Sequence, residues 1–265
     1  MTSIIIPAHN EASRLGGNLT LLTLGAGIDE FEIILVANGC TDATVDVAHS
    51  IPGIRVIDLP QAGKAAALRA GDDAATRLAR IYLDADVALS AHEARALTKA
   101  VTQPGIHAAT GRRRVVTGGS SLGVRAFYAV NRRLPVYDDA LFGRGVIALG
   151  PIGRARFDEF PDLIADDLFL DSLFTTDEKC QVDDVVTSVV APRTTRELIR
   201  RLARVRSGNR VVRTVSQARS ASSSSWLRHV VLPRPWLWPA GVCYAAVVIA
   251  AEIMSRRAGL SWGHT

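Results

Sequence analysis

Apolar positions in the first third of the chain come in short β-branched runs, each closed by a polar cluster and followed by a helical pattern. Ser3-Ile4-Ile5-Ile6-Pro7 reads as a buried parallel strand. Pro7-Ala8-His9-Asn10-Glu11 ends it, with Asn10 or Glu11 placed to open a helix through Leu24. Phe31 to Val36 is the second strand, and the polar loop Asn38-Gly39-Cys40-Thr41-Asp42 leads into the next helix, with Thr41 or Asp42 as its cap. Ile54 to Asp58 is the third strand, and an alanine-rich helix follows from Gly63-Lys64 to about Arg80. Ile81-Tyr82-Leu83 is the fourth strand. Four βα units of this kind predict an α/β fold with a doubly wound, mostly parallel, Rossmann-like sheet, whose polar strand ends gather on one edge.

The pattern then loosens. Residues 91–103 read as a helix stopped by Pro104-Gly105, and Ala108 to Gly111 as a short strand followed by Arg112-Arg113-Arg114, which reads either as facing phosphates or as a solvated loop. A helix is expected from about Leu122 to Arg133, a strand over Phe142–Leu149, a loop at Phe157–Pro161, a helix from Ala165 and a strand over Lys179–Ala191.

The fourth strand carries candidate chemistry. Asp84 and Asp86 stand two residues apart, and in extended chain i and i+2 share a side. Two adjacent carboxylates repel unless a cation joins them, and Mg²⁺ or Mn²⁺ suits one or two carboxylates plus substrate phosphates. An Asp-rich turn after the strand is the plain alternative.

Charge changes the picture of the C-terminal third. The 265-residue chain carries +5, yet Arg193 to Arg234 holds eleven Arg against one Glu, which leaves −5 for the rest. Leu198, Leu202 and Val205 share one helical face, with arginines on the remainder, a basic amphipathic pattern suited to a membrane surface or to a diphosphate. Ser216–Ser225 reads as a linker. Leu237 to Ala251 is uncharged, and extended past Glu252 to Met254 it reaches 18 residues, near the short limit for crossing a bilayer. A spanning helix, an interfacial or partner-docking helix and a packed core helix all fit this run. Arg228 and Arg234 on its domain side favour a cytosolic domain, although Arg256 and Arg257 dilute that bias. Cys40, Cys180 and Cys243 form no disulfide framework or metal pattern, which suits a reducing compartment, and no signal peptide is expected at the N-terminus.

The ordered set Pro7-Ala8-His9-Asn10-Glu11, Asn38-Gly39-Cys40-Thr41-Asp42, Gly63-Lys64-Ala65-Ala66-Ala67-Leu68 and Asp84-Ala85-Asp86 resembles glycosyltransferase family 2, over about residues 3–210. The resemblance implies a GT-A fold with a C-terminal helical tail, and an inverting transfer from a nucleotide-diphosphate sugar to an acceptor hydroxyl. It implies a donor site at Pro7, Ala8, Asn10, Glu11, Asn38, Lys64, Asp84 and Asp86, with Mn²⁺ or Mg²⁺ held by Asp86 and supported by Asp84. Asn38 stands where an acidic residue is frequent, its amide left to read a base edge. Ala165-Asp166-Asp167 resembles the family's Glu-Asp element, with Asp167 as catalytic base and the first acid shortened to Asp166. Gly143, Gly145 and Asp166 fall on the acceptor side, and Arg204 and Arg206 in an Arg-rich element that can meet phosphate. The processive synthases' Gln-x-x-Arg-Trp is absent, so a non-processive hexosyltransferase is expected.

These readings give a glycosyltransferase domain over 1–210, a basic Ser-rich linker over 211–235 and an apolar helix over 236–254. The expected partners are a nucleotide-diphosphate sugar, a glycan or lipid-linked acceptor and the membrane, with no nucleic acid, at the cytoplasmic face of the cell membrane. A nucleotidyltransferase of similar fold and a non-catalytic, membrane-attached sugar-nucleotide-binding protein are the alternatives. The first would favour a Gly-rich Lys/Arg signature after the first strand, which Pro7–Glu11 is not.

Overall fold

A computed structural model describes residues 1–162, 165–215 and 226–257; residues 216–225 of the expected linker lie outside them. In chain order the elements are β1 (Thr2–Ala8), α1 (Ala12–Thr23), β2 (Phe31–Asn38), α2 (Thr44–His49), β3 (Ile54–Leu59), α3 (Lys64–Ala74), β4 (Ala79–Leu83), α4 (Ala91–Ala100) and β5 (Ala108–Val116). They continue with α5 (Leu122–Asn131), α6 (Val136–Asp139), β6 (Val146–Leu149), α7 (Pro151–Arg154), α8 (Asp166–Ser172), β7 (Lys179–Val190), α9 (Thr195–Val215) and α10 (Trp238–Arg257). The chain forms two compact units, one of Met1–Arg113 with Leu141–Ser188 and one of Arg114–Ala140 with Val189–His264.

The seven strands run in the order β3-β2-β1-β4-β6-β5-β7. The pairs β3/β2, β2/β1 and β1/β4 are parallel, as the four βα units predict, while β4/β6 and β6/β5 are antiparallel. The first unit buries both faces of the parallel part. Ile4, Ile6, Ile33, Leu35, Ile81 and Leu83 pack on one side with Leu15, Leu19 and Leu22 of α1 and Leu97 of α4. The alternate residues Ile5 and Tyr82 pack with Leu68 of α3, and Ile34 and Val36 with Ala67. This two-sided burial is why the strands lack polar alternation. Register brings Ala8 opposite Ala37 and Asn38 opposite Leu59, so the carboxyl ends of three strands finish level.

Four expectations are corrected. The helix after Lys64 stops at Ala74 rather than near Arg80, because Glu32 accepts the Thr76 N–H at 2.8 Å and the chain re-enters the sheet by pairing Ala79 with Thr2. Arg112, Arg113 and Arg114 belong to β5, with the alternating exposure of a strand, and not to a loop. Phe142–Gly145 is not part of the strand β6, since Gly143 and Gly145 have φ of 72° and 71°, which an extended strand excludes. Strand β4 ends at Leu83, and the Val87 N–H bonds back to Asp84 O at 3.0 Å, so Asp84-Ala85-Asp86 forms a turn and the same-side argument for extended chain does not apply.

In the second unit Val124, Phe127 and Tyr128 of α5, Leu198 of α9, and Tyr244 and Val247 of α10 form a separate apolar core. Helix α9 runs through residue 210, and Trp226–Val231 forms a π-helical turn.

A buried ionic knot holds α3 to β4 and α7. The Asp72 carboxylate, 3% exposed, accepts from Arg80 Nε at 3.1 Å, Tyr82 Oη at 2.9 Å and Arg154 Nε at 2.6 Å. Asp72→Ala leaves two guanidinium groups and a phenol without their acceptor, so we expect a loss of about 3 kcal/mol or more in urea unfolding, with Asp72→Asn recovering part of it.

Candidate active site

The level strand ends in the first unit are knitted together by side chains of the loops they carry. Asn38 is 1% exposed, its Nδ2 donating to Ala8 O at 2.8 Å and its Oδ1 accepting from Gly63 N at 3.0 Å. Its amide therefore locks β1, β2 and the start of α3 together. It is committed to backbone and not free to read a base edge, which corrects the expectation. Asn10, at φ 55°, accepts the Thr41 N–H at 2.8 Å through Oδ1. Neither Asn10 nor Glu11 caps α1 with its side chain; Asp42 from the next loop accepts the Ala12 N–H at 3.1 Å instead. The Glu11 N–H donates to Thr44 Oγ1 at 2.9 Å.

Beside this edge a cleft is lined by Pro7, Lys64, Leu68, Tyr82, Asp84, Gly145, Asp166, Asp167 and Leu170 among others. Lys64 opens α3, and its Nζ lies 2.7 Å from Asp84 Oδ1 and 3.1 Å from Asp166 Oδ2. Burial alone would depress the ammonium, but Asp166, Asp84 and Asp167 outweigh it and hold Lys64 charged well above the usual lysine range. Burial, helped by Asp167 and Asp84 against the opposing Lys64, pushes the Asp166 carboxyl up to about 6. Asp167 is fixed by two backbone donors, Gly143 N to Oδ2 and Leu168 N to Oδ1, each at 2.8 Å. Each oxygen keeps a second lone pair, so the oriented carboxylate can still accept a proton.

Gly145 shapes the floor of the cleft. Its carbonyl takes the Asp84 N–H at 2.8 Å, and at φ 71° an added Cβ would strike Val87 and approach Asp84 Oδ2 at 3.2 Å. The positive φ and the Val87 side chain packed against it together favour glycine there. Arg144, between the two glycines, is 1% exposed.

Asp86 lies exposed on the turn after β4. From α1, Asn18 Nδ2 donates to Ala85 O at 2.8 Å and pins that turn. Glu11 registers the charge gathered here: burial first, then Asp86, Asp42 and Asp84 push its carboxyl up, against Arg14. This edge carries more negative charge than its own cations offset, and its donors are hard oxygens, the set that suits a divalent cation. Among the described residues no three His, Cys, Asp or Glu side chains form a ready-made metal cage.

The structure thus brings Pro7, Lys64, Asp84, Gly145, Asp166 and Asp167 to one cleft, with Gly143 bonded to Asp167. Arg204 and Arg206 belong to the second unit, where Arg206 is ion-paired with Glu252 at 2.8 Å. Sequence reasoning passed over Asn18 and Tyr82. Asn18 had one signal, a carboxamide inside the helical pattern one residue before the buried Leu19.

The profile of the family described as "Glycosyl transferase family 2" matches residues 3–144. The chain belongs to that family. A dolichyl-phosphate beta-glucosyltransferase of Drosophila melanogaster is 37% identical over 98 residues, which span 32% of this chain and 30% of that relative. Among solved structures, a mannosyltransferase from Pyrobaculum calidifontis in complex with GDP-Man and Mn²⁺ superposes with a TM-score of 0.63 at 22% identity, covering 97% of this chain and 79% of that one. Glucosyl-3-phosphoglycerate synthase from Mycobacterium tuberculosis, in complex with Mn²⁺, UDP-Glc and phosphoglyceric acid, gives a TM-score of 0.58 at 20% identity over 81% of this chain and 79% of that chain. At these identities the two structures establish the shared fold, an α/β architecture of the GT-A type.

Lys64→Met would leave Asp84 and Asp166 facing each other without their cation. Because Asp84 is 39% exposed, we expect a loss of about 2–3 kcal/mol near neutral pH, below that of a sealed pair. The raised Asp166 carboxyl binds its proton more tightly folded than unfolded, so its contribution to stability falls as pH rises from about 4 through 6. Urea unfolding of the variant should therefore show most of the deficit at pH above 6 and much less at pH near 4.

Proposed function

We propose that this family member is an inverting, non-processive hexosyltransferase. It moves a sugar from a nucleotide-diphosphate donor to the hydroxyl of a lipid-linked or cell-envelope glycan acceptor at the cytoplasmic membrane face. The observation that carries the reading is the convergence of Lys64, Asp84, Asp166 and Asp167 on one cleft beside the carboxyl ends of parallel strands, the edge where open α/β sheets take ligands. The nucleotide sugars and Mn²⁺ in the Pyrobaculum and Mycobacterium complexes support the donor class and a divalent metal. The name of the Drosophila relative supports a lipid-linked acceptor.

Asp86 and the Oδ2 of Asp84 are the oxygens that would hold Mn²⁺ or Mg²⁺, which when bound neutralises charge developing on the leaving diphosphate. Pro7, Ala8, Asn10 and Glu11 form the donor-side rim, with Asn38 as the lock behind it. Lys64, held charged at the cleft, faces the phosphates. Asp167, oriented by Gly143 and Leu168, takes the proton of the acceptor hydroxyl as that oxygen bonds to the anomeric carbon. The bond from that carbon to the diphosphate oxygen breaks on the opposite side, and the nucleoside diphosphate leaves with the electron pair. One displacement inverts the configuration. Gly143, Gly145 and Asp166 border the acceptor side. On the family resemblance alone Arg204 and Arg206 are proposed phosphate contacts, with Arg206 ion-paired to Glu252 at 2.8 Å.

A panel of nucleotide sugars, scored by thermal shift and by metal-dependent donor hydrolysis, tests the reading and identifies the donor. We expect Asp86→Ala to abolish transfer and Mn²⁺-dependent donor binding with an unchanged circular dichroism spectrum; near-full activity of that variant in EDTA would refute the metal's role. Asp167→Asn should still bind donor and lose about 10²-fold or more in turnover, the scale of a lost general base. An equal loss in Asp166→Asn, with Asp167→Asn active, would transfer the base to Asp166.

A further inference from the structure

Helix α10 is apolar on two sides, and the second unit uses only one of them. Tyr244, Val247, Ala251 and Ser255 are buried. Tyr244 stacks on Phe127 of α5 at 4.9 Å, and the Cys243 thiol donates to Gly123 O at 3.4 Å. On the other side Trp238, Val242, Ile249 and Ile253 follow a spacing of four, seven and four residues, which places them within one helical face. All four are exposed, Val242 at 73%, and Leu232 and Trp236 (71%) extend the patch before the helix begins. The segment Pro235–Arg256 has a mean hydropathy of 1.7 and is only 28% buried. An apolar stripe of this length on a folded unit marks an interaction surface.

Charge selects the occupant. By sequence the second unit holds seventeen Arg against four acidic residues, +13, while the first holds fourteen Lys and Arg against twenty-two acids, −8. A second copy of a +13 unit is repelled from that stripe. An anionic lipid surface is attracted, at about 1 kcal/mol per basic residue close to the headgroups. Tryptophans at the start of an apolar face suit the headgroup boundary. Passage through the bilayer is disfavoured, because the inward face is occupied by α5 and α9, and Glu252, late in α10, is paired with Arg206 of α9 at 2.8 Å.

We propose that the outward face of α10, with Trp236 and Trp238 at its start, docks in the plane of an anionic lipid bilayer without spanning it. The test uses the full chain and vesicles with no sugar nucleotide present, so its failure would leave the reading of the cleft untouched. We expect sedimentation with vesicles of phosphatidylcholine and phosphatidylglycerol, and much less with phosphatidylcholine alone. Tryptophan fluorescence should be quenched more by lipids brominated near the headgroup than near the methyl end, and less so in Trp236→Phe/Trp238→Phe. Val242→Asp/Ile249→Asp should weaken partitioning by about tenfold or more with an unchanged melting curve, because two apolar anchors are replaced by charge. Stronger quenching by the deep bromines would overturn in-plane docking in favour of spanning. Unchanged partitioning of the Asp variant would assign binding to the arginines alone. Absence of partitioning, or a dimer in sedimentation equilibrium that the Asp variant abolishes, would overturn the lipid assignment.

Discussion

A single ammonium group joins three elements far apart in sequence. Lys64 Nζ, from the first turn of α3, reaches Asp84 after β4 and Asp166 at the start of α8. Without it the cleft would hold two carboxylates at close range, one of them largely buried, with Asp167 adding to the repulsion. The pair of ion contacts thus lets a parallel sheet edge end in acids and still fold. Gly145 serves the same end by steric means: its carbonyl takes the Asp84 N–H, and its missing side chain lets the β6 entry lie against that turn. Under the proposed function, a substrate bearing phosphates and a cation would enter a cleft whose acids are already partly offset by Lys64. Catalysis in such a place draws on charges fixed by the fold in advance.

The strands and motifs that depend on local pattern were legible in the sequence. β1, β2 and β4 carry the continuous apolar runs Ile4–Ile6, Ile33–Ala37 and Ile81–Leu83 because both faces are covered, whereas the edge strand β3 exposes Arg55 and Asp58. What the sequence hid is non-local. The antiparallel placement of β6 between β4 and β5 follows from pairings such as Leu83 with Val146, which no short-range pattern encodes. The Asp84–Asp86 turn is fixed by the Gly145 carbonyl and by Asn18, partners 61 and 67 residues from their bonded atoms at Asp84 and Ala85. Asn38 looked like a recognition residue by its position in the loop, yet burial and backbone acceptors claimed its amide. The Arg112–Arg114 triplet looked like a loop by charge, although strand pairing tolerates alternating arginines when one side faces water.

The division of charge between the two units bears on how such a chain meets its substrates. An acidic unit of −8 repels anions and anionic surfaces on average, so under the proposed function the donor's phosphates would have to be received locally, by Lys64 and a cation. The basic unit of +13 does the reverse and draws the chain toward any anionic surface. Long-range attraction of this kind is screened by salt over about 8–10 Å. It concentrates the protein at a surface but does not hold it there. An apolar stripe is insensitive to screening and acts only at contact. The two effects are complementary in range, and α9 and α10 supply them from neighbouring helices joined by the Arg206–Glu252 pair. If the acceptor is lipid-linked, as proposed, and the stripe docks on the bilayer, that combination would convert a search through the cell's volume into one along a surface, where the acceptor's effective concentration is far higher.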